Sequence, residues 1–220
     1  MTQHPHILGV VLAGGRARRM GGGDKGLVPI AGKPMLAHVL ERFSPQVGSL
    51  ILNANGDHIR FRAFGLDVVA DAGPGGPLDP GDGDDHGHGP LAGLLAAMNW
   101  AEASAPAISA IASVSTDVPF LPVDLVRQLE RGRVPHTAAV AQSFGRLHPV
   151  IGVWPISVKA QISAALTRGD RSMQAFARTV NATTVSFPPV AIGGSMIDPF
   201  FNANTPDELA EAHRLLAGEP

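Results

Sequence analysis

This sequence contains no cysteine, which removes disulfides, thiolate nucleophiles, cysteine-ligated zinc and iron–sulfur clusters from the chemistry open to it. Charge is scarce as well. Only 16% of the residues are charged and the formal net charge is -2, so the chain lacks the basic excess that coats nucleic acid or tethers a polybasic segment to a membrane. Long apolar runs are also missing, since nothing approaches the roughly 18 consecutive apolar residues of a membrane span. The run "ILGVVLA" has no positive flank before it and its arginines come after it, so it does not read as a secretion signal. A soluble cytoplasmic protein is expected, with neither nucleic acid nor membrane as partner.

Apolar residues are plentiful, at 45% of 220 residues, enough to bury the core of one domain spanning 1–220. Runs rich in Val and Ile predict strands near 7–12, 49–54, 66–70, 107–114, 137–142, 147–153 and 183–187. Between them the period changes. Met35, Leu36, Val39, Leu40 and Phe43 share one helical face, Leu91, Leu94, Leu95 and Met98 share another, and Leu121, Leu125, Val126 and Leu129 suggest a third. In "TPDE", Thr205 is placed to cap a last helix, with Pro206 at its first position and Glu208 closing a capping box. Strands alternating with helices imply an α/β fold, a doubly wound and mainly parallel sheet flanked by helices.

One segment breaks this order. "GPGGPLDPGDGDDHGHGP", residues 73–90, is dominated by Gly, Pro and Asp and predicts a flexible surface loop rather than a packed element. His86 and His88 lie beside Asp84 and Asp85, but a flexible loop pre-forms no metal geometry, so an inserted loop is the simpler reading.

The stretch "LAGGRARRMGGGDKGL", residues 12–27, directly follows the first strand. In an open parallel sheet, ligands bind beyond the carboxyl ends of the strands. Glycines there let backbone N–H groups approach anionic oxygens, while Arg16, Arg18, Arg19 and Lys25 supply local positive charge. Phosphate is the natural ligand. Lys25 is followed by Gly26, not by the Ser or Thr of a Walker loop, and the dinucleotide spacing G-x-G-x-x-G is absent. Asp117 follows the apolar strand "AISAIASVS" and presents a carboxylate at the same sheet edge, where magnesium shared with substrate phosphates would find an oxygen ligand. Asn202 and Asn204 in "FNANTP" are two apart, which in an extended segment puts both amides on one side. His148 in "LHPV" reads as a structural histidine and is not counted among the site residues.

The glycine-rich loop, "LILNAN", "VVAD", "GPLAG", "STDVPFL", "HPVIGVW" and "FFNANTPDEL" together resemble the molybdenum cofactor guanylyltransferases, Rossmann-like nucleotidyltransferases, over nearly the whole chain. That resemblance implies transfer of GMP from GTP to the terminal phosphate of molybdopterin, with release of pyrophosphate. It implies Leu12, Ala13, Gly14, Gly15, Lys25, Asn53, Asp71 and Asp117 as GTP contacts. Gly93, Arg171, Asn202 and Asn204 would meet molybdopterin. Arg19, Lys25 and Asp117 would carry the chemistry, and Asp117 would hold magnesium, or manganese in its place. Proteins that donate the cofactor and molybdoenzymes that receive the product are the partners implied. Two alternatives stand beside this reading: a cytidylyltransferase of the same fold, whose first loop would look more like "LAAG", and a GTP-binding protein that delivers cofactor without catalysis.

Overall fold

The computed structural model describes residues 4–14, 24–77, 88–192 and 194–217. Seven strands form its main sheet: β1 (Ile7–Leu12), β2 (Ser49–Asn53), β3 (Asp67–Val69), β4 (Ala110–Ser115), β5 (Ala139–Ser143), β6 (Arg146–Pro155) and β7 (Thr183–Ser186). Their order is β7-β5-β6-β4-β1-β2-β3. All neighbouring pairs are parallel except those made by β6, which runs antiparallel to both β4 and β5. The parallel majority agrees with the sequence reading. The reversed strand has a local cause: Ser143 pairs with Arg146 across a tight turn in which Phe144 and Gly145 both have positive φ, the geometry that joins antiparallel neighbours.

Successive side chains of a strand point to opposite faces of the sheet, so β1 supplies both cores. Ile7 and Val11 join Leu36, Val39 and Phe43 of α1 (Met35–Phe43) and Leu125, Val126 and Leu129 of α3 (Leu125–Gly132). Leu8, Val10 and Leu12 face the other way, against α2 (Pro90–Ser104), α4 (Lys159–Thr167) and α5 (Met173–Thr179). Trp154, fully buried in that second layer, keeps its polar edge satisfied: its indole N–H donates to Ser113 Oγ at 2.9 Å, and Ser113 donates to the Val150 carbonyl at 2.7 Å.

A third cluster packs the last helix, α6 (Pro206–Ala217), through Ala212 and Leu215 onto Ile30, Met35, Phe120 and Ala203. Its start is the capping box expected from "TPDE". The Glu208 N–H donates to Thr205 Oγ1 at 3.2 Å, and Glu208 Oε2 accepts from the Thr205 N–H at 2.9 Å and the Asn204 N–H at 2.8 Å. A hairpin, β8 (Val190–Ile192) with β9 (Ser195–Ile197), precedes it. Among the described residues no helix is long and apolar enough to cross a membrane.

Candidate functional site

The strand order itself marks the site. From β1 the chain moves outward through β2 to β3, then returns by α2 to β4 on the other side of β1. The crevice between β1 and β4 is therefore the point where strand order reverses, the usual ligand site of an open α/β sheet. Leu12 ends β1 and Ala13 follows it, both buried, and the Ala13 N–H donates to the Asn53 carbonyl at 2.8 Å. Among the described residues, a Cβ added at Gly14 would meet nothing within 4 Å. Gly15, Arg16, Arg18 and Arg19 lie outside the described residues.

Lys25 opens a short 3-10 turn, Lys25–Leu27, and is only 7% exposed. A buried ammonium requires partners. Its Nζ lies 2.6 Å from Asp117 Oδ2 and also donates to Asn204 Oδ1. Asp117, just past β4, accepts through its other oxygen from Ser115 Oγ, and its backbone carbonyl accepts from the Ala203 N–H at 3.2 Å. Three residues taken separately from the sequence, two for the phosphate side and one for the second substrate, thus meet at one ammonium. Their separations of 92 and 179 residues leave no local trace of that meeting.

The "NAN" of residues 202–204 departs from the expected extended segment. The Asn204 N–H donates to the Asn202 carbonyl at 3.1 Å, closing a three-residue turn. Ala203 is buried between the two amides. Asn202 Oδ1 is buried and, among the described residues, has no hydrogen-bond partner, leaving an acceptor for a ligand N–H.

A second polar hub lies at the ends of β2 and β3. Asp71 is buried, and its carboxylate accepts from Asn53 Nδ2 at 3.1 Å, Asn55 Nδ2 at 2.8 Å and the His88 N–H at 3.2 Å. Asn55 Oδ1 in turn accepts from the Asp71 N–H at 2.9 Å. Asp71 therefore holds together two strand ends and the segment entering α2. His88 belongs to the stretch expected to be a loop, and its backbone docks on Asp71 rather than standing clear of the fold. Residues 78–87 of that stretch, including Asp84, Asp85 and His86, lie outside the described residues.

Gly93 has a packing reason for being glycine. A Cβ there would sit 2.8 Å from both Asn53 Cγ and Leu12 Cδ2, and closer still to Asn53 Oδ1. The first turn of α2 can lie against the end of β2 only without a side chain at this position. Arg171 is exposed and packs beside Gly89, at the start of the same helix.

Sequence reasoning missed Asn55, Ser115 and Arg60. Asn55 had a signal, because "LILNAN" repeats the N-x-N spacing of "FNAN". Arg60 had none, as it lies in a 3-10 stretch, His58–Phe64. Its guanidinium pairs with Asp24, next to Lys25, and donates to the Asn55 carbonyl at 2.6 Å, tying the end of the glycine-rich loop to the asparagine hub. Among the described residues there is no group of three or more His, Cys, Asp or Glu that could cage a metal.

Comparison with known proteins identifies the same fold and the family. A molybdenum cofactor guanylyltransferase of Rhodopseudomonas palustris is 45% identical over 219 residues, 98% of this chain and 96% of the relative. The crystal structure of molybdopterin-guanine dinucleotide biosynthesis protein A from Archaeoglobus fulgidus superposes with a TM-score of 0.66 at 21% identity, covering 96% of this chain and 98% of that one. A Mycobacterium tuberculosis protein solved as its manganese complex gives 0.63 at 16% identity, over 95% and 98% of the two chains. Residues 9–184 match the model of the MobA-like NTP transferase domain, and on that match and the near-complete relative this chain belongs to the MobA-like NTP transferase family and is a nucleotidyltransferase.

Proposed function

We propose that this protein transfers GMP from GTP to the terminal phosphate of molybdopterin, giving molybdopterin guanine dinucleotide and pyrophosphate. The observation that carries the reading is Lys25 held between Asp117 and Asn204 at the strand-order switch point. One cation there borders both the triphosphate loop and the segment assigned to the acceptor. The 45% identical relative bears the name of this activity.

In this reaction an oxygen of the acceptor phosphate attacks the α-phosphorus of GTP, a new P–O bond forms, and the bond to the bridging oxygen of the β-phosphate breaks. Charge grows on the leaving pyrophosphate. Lys25, with Arg19 beyond the described residues, stabilises that charge electrostatically. The attacking group needs no base, because a phosphate monoester with a second pKa near about 6 is mostly dianionic at neutral pH. Gly14 leaves room for the phosphates, with Leu12, Ala13 and Gly15 beside it. Asn53 and Asp71 present amide and carboxylate groups that suit a guanine edge. Asn202, whose buried Oδ1 has no partner among the described residues, and Asn204 receive the pterin, aided by Gly93 and Arg171.

A divalent cation belongs to this reading. Asp117 and Ser115 offer oxygen donors, and a single carboxylate suits a hard ion such as magnesium that completes its shell with water and phosphate oxygens. When bound, the ion neutralises phosphate charge, and Asp117 is the residue that would hold it.

The test is direct: incubation of purified protein with magnesium, molybdopterin and each nucleoside triphosphate in turn. GTP alone is expected to release pyrophosphate and yield the guanine dinucleotide. Turnover with CTP in place of GTP would reassign the donor, and GTP binding without consumption would turn the protein into a carrier.

A further inference from the structure

The buried His148 and Ser143 and the half-buried Asp198 form a polar chain that no step of the reaction uses. Ser143 ends β5 and His148 lies near the start of β6, on the same face of the hairpin because Ser143 opposes Arg146 and His148 opposes Ala141. Ser143 Oγ donates to Asp198 Oδ1 at 2.7 Å and lies 2.8 Å from His148 Nε2. A hydroxyl has one proton. With that proton on the contact to Asp198, the histidine contact takes its proton from the ring, so Nε2–H donates to Ser143 Oγ. Asp198 Oδ1 also accepts from the Phe200 N–H at 2.8 Å, and the Asp198 carbonyl accepts from the Phe201 N–H at 3.0 Å. The His148 ring lies against Phe200, with centroids 4.9 Å apart.

This chain ends where the acceptor segment begins. Residues 198–204 run from β9 to α6 and carry Asn202 and Asn204. Their far end is held by the Ala203 N–H on the Asp117 carbonyl and by Asn204 on Lys25. The near end is held by Asp198 on Ser143. Phe200, packed on Phe187, supplies adhesion there, but apolar contact is non-directional, whereas hydrogen bonds with defined donors and acceptors set position and angle. We infer that His148, Ser143 and Asp198 are positioning residues for the acceptor: they set the segment that presents Asn202 and Asn204, and leave nucleotide binding to the other strand ends. The inference rests on the assignment of those two asparagines to molybdopterin.

Ser143→Ala removes a single oxygen atom, His148→Leu removes the ring donor, and His148→Gln keeps an N–H within reach of the serine. In the first two variants the KM for molybdopterin is expected to rise about tenfold, the scale of one broken buried hydrogen bond. The dissociation constant for GTP and kcat at saturating acceptor stay within about twofold on the same argument. His148→Gln restores the wild-type KM. Amide hydrogen exchange at Phe200, Phe201 and Ala203 is expected to speed up in both disruptive variants while β1 stays protected. Unchanged exchange at those amides in folded Ser143→Ala overturns the inference, as does an unchanged acceptor KM or an equal loss of GTP affinity. A wild-type protein that binds GTP yet transfers nothing to molybdopterin would instead overturn the assignment of the acceptor, so the two failures are distinct.

Discussion

Replacing Gly93 by alanine sets two effects of opposite sign against each other. Alanine in the interior of a helix is favoured over glycine by about 1 kcal/mol, so propensity by itself predicts a more stable protein. The new Cβ, however, would lie 2.8 Å from Asn53 Cγ and Leu12 Cδ2, closer than real Cβ atoms approach such neighbours. Leu12 can yield at the tip of its side chain. Asn53 is 3% exposed and donates to both the Val69 carbonyl and Asp71 Oδ1 at 3.1 Å, so moving it breaks two buried hydrogen bonds at about 1 kcal/mol each. Overpacking adds about 1–3 kcal/mol. The clash wins, and the net loss is about 2–4 kcal/mol, a fall in Tm of about 4–16 °C for a chain of this size. Because Asn53 and Asp71 move with it, GTP affinity should drop by about tenfold, the equivalent of about 1.4 kcal/mol. Thermal unfolding and calorimetric titration with GTP measure both. A Gly93→Ala protein as stable as the wild type would refute the reasoning, since it would mean that propensity outweighs the contact.

Lys25→Ala should lower turnover roughly 100-fold or more, the scale of losing one preorganised donor to a developing charge, and near-normal turnover at saturating GTP would count against a role for Lys25. Thr205→Ala should cost about 1 kcal/mol by removing the cap of α6, read as a fall of about 2–4 °C in Tm; no change would mean that the Glu208 contacts alone hold the helix start. Burial lowers the His148 imidazole below its ordinary value of 6.5, with Asp198 opposing and Arg146 adding to the shift. The folded protein then binds fewer protons than the unfolded chain below about pH 6.5, so stability is lost as pH falls through that value, until folded His148 takes up its proton. His4 is lowered first by burial too and acts in the same direction. His148→Gln should therefore give a shallower loss of stability between about pH 7 and 5; urea midpoints across that range with an unchanged slope would refute the assignment.

Strand and helix positions were legible wherever burial imposes a period. All seven strands expected from Val- and Ile-rich runs lie in the main sheet within a few residues of their predicted bounds. The third stripe is legible from Leu125 onward, whereas Leu121 is buried ahead of the helix that begins at Leu125. Helices α4 and α5 were not anticipated, and composition explains why. On α4 only Ile162 and Ala165 are buried, too few to write a stripe, while α5 spans just seven residues. The reversal of β6 depends on a Phe-Gly turn, a pair without the Asn-Gly or Asp-Gly signature of such hairpins.

Local sequence determined which segments become strands and helices, how α6 begins, and that bare, positively charged backbone follows the first strand, because each depends on neighbours a few residues away. Tertiary structure alone decided that the ammonium of Lys25 rests between Asp117 and Asn204, that Asp71 is surrounded by Asn53, Asn55 and His88, and that Ser143 links His148 to Asp198. Apart from Ser143 and His148, which face each other across the β5–β6 hairpin, these groups lie well apart along the chain, and no short-range pattern records a contact made only when separate strands end at a common edge.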